Sequence, residues 1–157
     1  MIRLTKKNLI SPLLEKMRQE ASENVNEFWG KWANELYWFK KWNKVFEWNY
    51  PKFQWFINGK TNISYNCLER NIFLKNRGDH TAIIWESPET NQNNIITYNE
   101  MLNQVKRVAS ALTALGIKKG DRITIYMPMV PEAIISMLAI TRIGAIHSVV
   151  FAGFGSD

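Results

Sequence analysis

The chain has 157 residues, 46% hydrophobic and 13% aromatic, which is enough to build a domain with a real core and excludes a disordered tract. Its single cysteine excludes an internal disulfide and a cysteine-built metal cluster. The formal charge of +6 suits an acidic ligand, but the positive residues are scattered in runs no longer than a pair, as on a solvated surface.

Met1 to Ile10 is charged and lacks the apolar run of a secretory leader, so the expected compartment is the cytoplasm. Ser11-Pro12 starts a helix, a cap followed by proline in the first turn. A second helix is expected from Glu23 to Lys41, where Val25, Phe28, Trp32, Leu36 and Phe39 recur at three and four and mark one buried face. With Trp29, Trp38, Trp42, Trp48 and Trp55 this segment holds more apolar surface than it can bury alone, and it is expected to wrap onto another part of a full chain. Aromatics interleaved with lysines also occur in single-strand nucleic-acid binders. The helical period here is that of core residues, so no nucleic-acid partner is expected.

Asn58-Gly59 marks a turn, and a short helix is expected from Tyr65 to Leu74. Cys67 lies within it and reads as a buried structural thiol, with no histidine near it in sequence. His80 sits in the Arg77-Gly78-Asp79 loop and reads as a solvated residue. Thr81 to Trp85 and Ile95 to Tyr98 are strand-like, with Ser87 to Asn94 as a polar loop. Thr97 and Glu100 form a capping box that opens a helix with Met101, Leu102, Val105, Val108, Ala109, Leu112 and Leu115 on its apolar face, and Gly116 ends it. Arg122 to Met127 is a strand. Pro131-Glu132 opens the next helix, whose core from Ala133 to Ile143 is apolar on all sides and is expected to be buried. It is too short to span a bilayer. Gly144 ends it, and Ala145 to Val150 is the next strand, with His147 expected as a hydrogen-bonded core histidine. The alternation of strand and helix predicts an α/β fold: an aromatic-rich helical extension over residues 1–59, then over residues 60–157 the first part of a mainly parallel sheet with crossover helices.

Three segments carry a family resemblance: WFINGKTNISYNCLERN (Trp55 to Asn71), TAIIWE with IITYNEML (Thr81 to Leu102), and GIKKGDRITIYMPMVPEAIISMLAITRIGAIHSVVFAGF (Gly116 to Phe154). They resemble the amino-terminal part of AMP-forming acetyl-coenzyme A synthetases, members of the adenylate-forming superfamily, and FWGKWANELYWFKKWNKV is similar to that family's amino-terminal extension. The GDRITIYMPMVPEA pattern speaks only for the superfamily, and NISYNCLER narrows it. The resemblance implies a ligase that uses ATP with Mg2+ and coenzyme A to activate acetate through acetyl-adenylate. It also implies that the family's phosphate loop, acetate pocket and catalytic lysine lie beyond the matched part, so this chain is expected to be catalytically incomplete alone. A second polypeptide supplying the missing part is one way to complete it. No residue is carried over as catalytic and none as a metal ligand. The turn Phe151, Ala152 and Gly153 matches the position where the family's backbone approaches the nucleotide of coenzyme A, and here Ala152 stands where the family carries a glycine. A plain turn is the competing reading of these residues. A non-catalytic interaction module, a ligase for propionate or another short acid, and a dinucleotide-binding module reading Gly153-x-Gly155 remain alternatives; the last lacks its third glycine and following acid.

Overall fold

The computed structural model describes residues 11–153, with Phe151 described by its backbone alone, so Gly155 and the rest of the expected glycine turn lie outside the described residues. The chain divides into two compact units, Met1–Thr61 and Asn62–Asp157.

In the first unit, α1 (Pro12–Glu23) starts at Pro12 behind Ser11, as the sequence predicts. The next helix, α2, is shorter than its periodicity predicts, running only over Val25–Ala33. Asn24 caps it, its side chain accepting from the Glu27 amide at 3.1 Å. It stops because its carboxyl end is occupied: the Asn34 side-chain amide donates to Gly30 O at 2.9 Å, and the Trp38 indole donates to Ala33 O at 2.8 Å. Trp32, Leu36 and Phe39, expected on a buried face, are all exposed. The chain then forms an antiparallel hairpin where the sequence predicts more helix, β1 (Lys44–Asn49) and β2 (Lys52–Ile57), in the register Phe46↔Trp55 and Trp48↔Phe53. Gly30 lets α2 approach β1, since a Cβ there would stand 3.2 Å from Val45 Cγ2. The unit is held by aromatic contacts: Phe46 on Trp55 at 4.5 Å between centroids, Trp38 on Trp42 at 4.8 Å, and Trp38 on Phe56 at 5.1 Å.

The second unit begins at the Asn62 cap of α3 (Ile63–Cys67), continues through a π-helical turn (Arg70–Leu74), and then forms β3 (Thr81–Ser87), β4 (Gln92–Thr97), α4 (Tyr98–Ala114), β5 (Arg122–Met127), α5 (Pro131–Arg142) and β6 (Ile146–Phe151). The expected continuous helix from Tyr65 to Leu74 is thus interrupted. Its sheets are two-stranded: β3 and β4 pair antiparallel, and β5 and β6 pair parallel around the α5 crossover. The polar stretch after Ser87 is the tip of a hairpin, and β4 does not continue the parallel ladder. Both helix ends read from glycine are present. Gly116 has φ +88° and Gly144 φ +77°. Each carries a paired closing arrangement, Ile117 N to Leu112 O with Gly116 N to Thr113 O, and Ala145 N to Ile140 O with Gly144 N to Thr141 O. The main core joins Leu68, Ile96, Met101, Leu102, Val105, Ala109, Ile135 and Ala139, and a smaller one joins Ile125, Ile140 and Ala145. Along the apolar runs read for α4 and α5 burial fails at two positions: Leu115 is 79% exposed just past α4, and Ile134 on α5 is 42% exposed.

The capping box of α4 is complete. Thr97 N and Thr97 Oγ1 both donate to Glu100 Oε2 at 2.8 Å, and Glu100 N donates back to Thr97 Oγ1 at 3.2 Å. The backbone bond from Thr97, then its side-chain bond, hold the Glu100 carboxyl below the ordinary glutamate range. A lowered folded value means that the contribution is present above the unfolded pKa and is lost as pH falls through the folded one. A carboxyl-carbon NMR titration should therefore give Glu100 a midpoint below that of free glutamate, and Thr97→Val should raise it.

Candidate functional site

The site lies at the carboxyl ends of the parallel strands, where open α/β sheets place their ligands. β5 ends at Met127, paired with Phe151 at the end of β6. The chain leaves β5 through Pro128-Met129-Val130 and enters α5 at Pro131, with Ala133 N bonding back to Val130 O at 3.0 Å. The strand-to-helix loop is pinned from β3, whose Trp85 indole donates to Met129 O at 2.7 Å. Phe151 ends β6, and Ala152 and Gly153 begin the turn beyond it: Ala152 is half-buried and Gly153 exposed. The Tyr126 hydroxyl reaches Ala152 O at 3.5 Å and ties the turn to β5.

Beside this turn is a groove of about 430 Å³ between the β3 edge and the β5–α5 loop, lined by Ile84, Trp85, Met127, Met129, Val149 and Val150 among others. It is apolar, and Glu86 is its one charged lining residue. An apolar groove beside exposed backbone suits a flat or aliphatic group. It offers no cation to a phosphate. Among the described residues no group of three or more His, Cys, Asp or Glu side chains could hold a metal ion.

The NISYNCLER motif does structural work away from this groove. Asn62 Oδ1 accepts from the Tyr65 amide at 3.2 Å, while its Nδ2 donates to Thr141 O at 2.9 Å and Arg142 O at 3.3 Å, so one side chain caps α3 and ties it to the end of α5. Buried Glu69 then pairs with Arg142 Nη2 at 2.6 Å. Cys67 is exposed, which corrects the expectation of a buried thiol. Its immediate surroundings still push the thiol up by desolvation, against the opposing charge of Arg70, so it is poorly suited to act as a nucleophile. His80 is exposed, as expected of a loop residue. His147 is half-buried on the α5 side of β6, but its Nδ1 is buried with no hydrogen-bond partner, contrary to the expected bonded histidine.

The turn is visible in the sequence as a strand running into glycines. Trp85 is not, because its bond to Met129 spans 44 positions and carries no local signal. The pair of Asn62 and Glu69 as a clasp on α5 also escapes the sequence reading, although an Asn before a short helical stretch is a cap signal.

Residues 14–67 match the family model described as acetyl-coenzyme A synthetase N-terminus, and residues 68–157 match that of AMP-binding enzymes. The chain is 50% identical over 141 residues to an acetyl-coenzyme A synthetase of Mesorhizobium japonicum, covering 88% of this chain and 21% of that one. It is 48% identical over 145 residues to that of Syntrophobacter fumaroxidans, covering 90% and 22%. Among solved structures it is similar to acetoacetyl-CoA synthetase from Streptomyces lividans, with TM-score 0.75 and 26% identity over 83% of this chain and 20% of that one. The chain thus spans about a fifth of the length of the relatives it matches. In the described residues no helix is long and apolar enough to cross a membrane. With its two matched regions in order along nearly its whole length, the chain belongs to the family of AMP-binding enzymes, and it corresponds to the amino-terminal region of acetyl-coenzyme A synthetases.

Proposed function

We propose that residues 1–157 form part of a cytoplasmic acetate–CoA ligase. An acetate oxygen attacks the α-phosphorus of ATP, taken with Mg2+, and pyrophosphate leaves. The thiolate of coenzyme A then attacks the acyl carbon and AMP leaves. Activation is needed because a carboxylate is a poor electrophile until its oxygen becomes a phosphate leaving group. The observation that carries this reading is the succession of the two matched regions at 46–50% identity to acetyl-coenzyme A synthetases.

Within that reading, Phe151, Ala152 and Gly153 lie against the nucleotide of coenzyme A. Their place at the end of a parallel strand supports this, as does the small Ala152-Gly153 pair, which lets a ligand come close to the backbone. The groove beside them brings no positive charge, so phosphate binding and both chemical steps are assigned to residues outside this chain. Acetate is favoured over acetoacetate as the acid because the higher identities are to acetate-activating relatives, against 26% for the acetoacetyl-CoA synthetase.

The test is a chimera in which residues 1–157 replace the matched segment of the Mesorhizobium japonicum enzyme. It should keep acetate-dependent ATP–pyrophosphate exchange within about tenfold of the parent, a loss of about 1.4 kcal/mol in transition-state stabilisation. Residues 1–157 alone should show none. A folded, soluble chimera without exchange rejects the reading.

A further inference from the structure

Among the described residues the β3–β4 and β5–β6 sheets share no ladder. A side chain of the first nevertheless reaches the second across the groove between them. Trp85, near the end of β3, donates its indole N–H to Met129 O in the β5–α5 loop at 2.7 Å, at the short end of the N–H···O range. Trp85 is only half-buried, so solvent could have satisfied this donor. Its bond to a loop carbonyl therefore fixes a position and does more than compensate for burial.

The loop depends on such an anchor. Its own bonds are local, Val130 N to Pro128 O at 2.9 Å and Ala133 N to Val130 O at 3.0 Å, and Met129 is 79% exposed. The loop also begins where the candidate site begins. Met127, the last residue of β5, is the register partner of Phe151, and beside it the Tyr126 hydroxyl reaches Ala152 O at 3.5 Å. Trp85, Met127, Met129 and Val150 line one groove. Position thus passes in two short steps, from Trp85 to the loop at the end of β5, and from the end of β5 to the turn at Phe151, Ala152 and Gly153.

Resting on the functional reading above, we propose that Trp85 is a positioning residue for the coenzyme half of the reaction: its bond to Met129 O holds the end of β5, and through it the turn after β6, in the geometry that takes the nucleotide of coenzyme A. A turn already held in its binding geometry loses less freedom when the ligand arrives, and that share of the affinity goes when the anchor is cut. Acetyl-adenylate formation needs no coenzyme A, so the two half-reactions separate this role from general support of the fold.

The experiment uses the chimera carrying residues 1–157. Trp85→Phe keeps most of the apolar body and removes the donor. It should raise the KM for coenzyme A about fivefold, roughly what one neutral hydrogen bond contributes, with acetate-dependent ATP–pyrophosphate exchange and the KM for acetate changed less than about twofold. Tyr126→Phe should raise the same constant by less, because its bond is longer. Glu89→Gln, at the exposed β3–β4 tip, should change none of them. An unchanged KM for coenzyme A in Trp85→Phe, with exchange retained, overturns the proposal and leaves the functional reading standing. A fall in exchange as large as that in thioester formation shows a purely structural role and also overturns it, as does a rise in Glu89→Gln equal to that in Trp85→Phe. Should Trp85→Phe fail to fold, Tyr126→Phe, a change at a residue 60% exposed, decides by the same split between the half-reactions. A folded parent chimera without exchange rejects the functional reading and this role with it.

Discussion

Arg142→Ala is expected to destabilise the second unit by about 3 kcal/mol, the low end of what removing one partner from a buried ion pair costs. Glu69 is 5% exposed, and its Oε1 meets Arg142 Nη2 at 2.6 Å. The other oxygen, Oε2, is buried and has no hydrogen-bond partner, so the carboxylate depends on Arg142 for its compensation. The Arg142 side chain is 27% exposed, which argues for the lower end of the range. Arg142 also lies in the last turn of α5, where a cation favours the helix dipole, so its loss acts twice. The pair Glu69→Leu with Arg142→Met should recover most of the stability, because it removes both desolvated charges and keeps the volume. Urea unfolding should be followed by amide hydrogen exchange in α4 and α5. Every tryptophan except Trp85 lies in the first unit, so fluorescence would report mainly on the wrong part of the chain. A loss below about 0.5 kcal/mol would mean that the pair behaves as a surface one.

The same residues show what kind of information the sequence holds. Elements with local signals are legible. β5 runs over Arg122–Met127 as read, and α4 opens at the Thr97–Glu100 capping box and closes at Gly116, because each of these signals acts within a few residues. Periodicity overextends α2 because the helix stop depends on the Trp38 indole reaching back to Ala33 O, a bond that periodicity cannot register. The β1–β2 hairpin is hidden because tryptophans and phenylalanines crowd the segment at spacings compatible with several periods. Its register, Phe46↔Trp55 and Trp48↔Phe53, is decided by ring packing across the strands.

At the site, the turn after β6 is legible from an apolar strand running into glycines. The groove beside it is not, because it is assembled from β3, β6 and the β5–α5 loop, far apart in the chain. NISYNCLER is legible only as a family mark. Its physical work, one asparagine bonding two carbonyls about 80 positions away and one glutamate clasping the same helix end, exists only in the folded unit.

Leu68→Ala and Leu115→Ala should separate pattern from packing. By sequence only Leu115 reads as a core residue, on the apolar stripe of α4, while Leu68 lies in the expected Tyr65 to Leu74 helix with no face assigned to it. In the structure Leu68 is 1% exposed, between α3 and the π-helical turn, where it packs into the main core with Met101, Leu102 and Val105. Leu115 is 79% exposed, because the helix has already ended there and the chain turns away at Gly116. Leu68→Ala should cost about 3 kcal/mol, combining the lost transfer term with a cavity that the surrounding helices close only in part. Leu115→Ala should change stability by less than about 0.5 kcal/mol, as surface substitutions do. Urea midpoints of the two variants, read by hydrogen exchange in α4, measure the contrast. Equal losses would mean that Leu115 folds back onto the core. A small loss at Leu68 would mean that the α3 segment is not docked on α4, and the clasp from Asn62 and Glu69 to α5 would then have to hold that segment by itself.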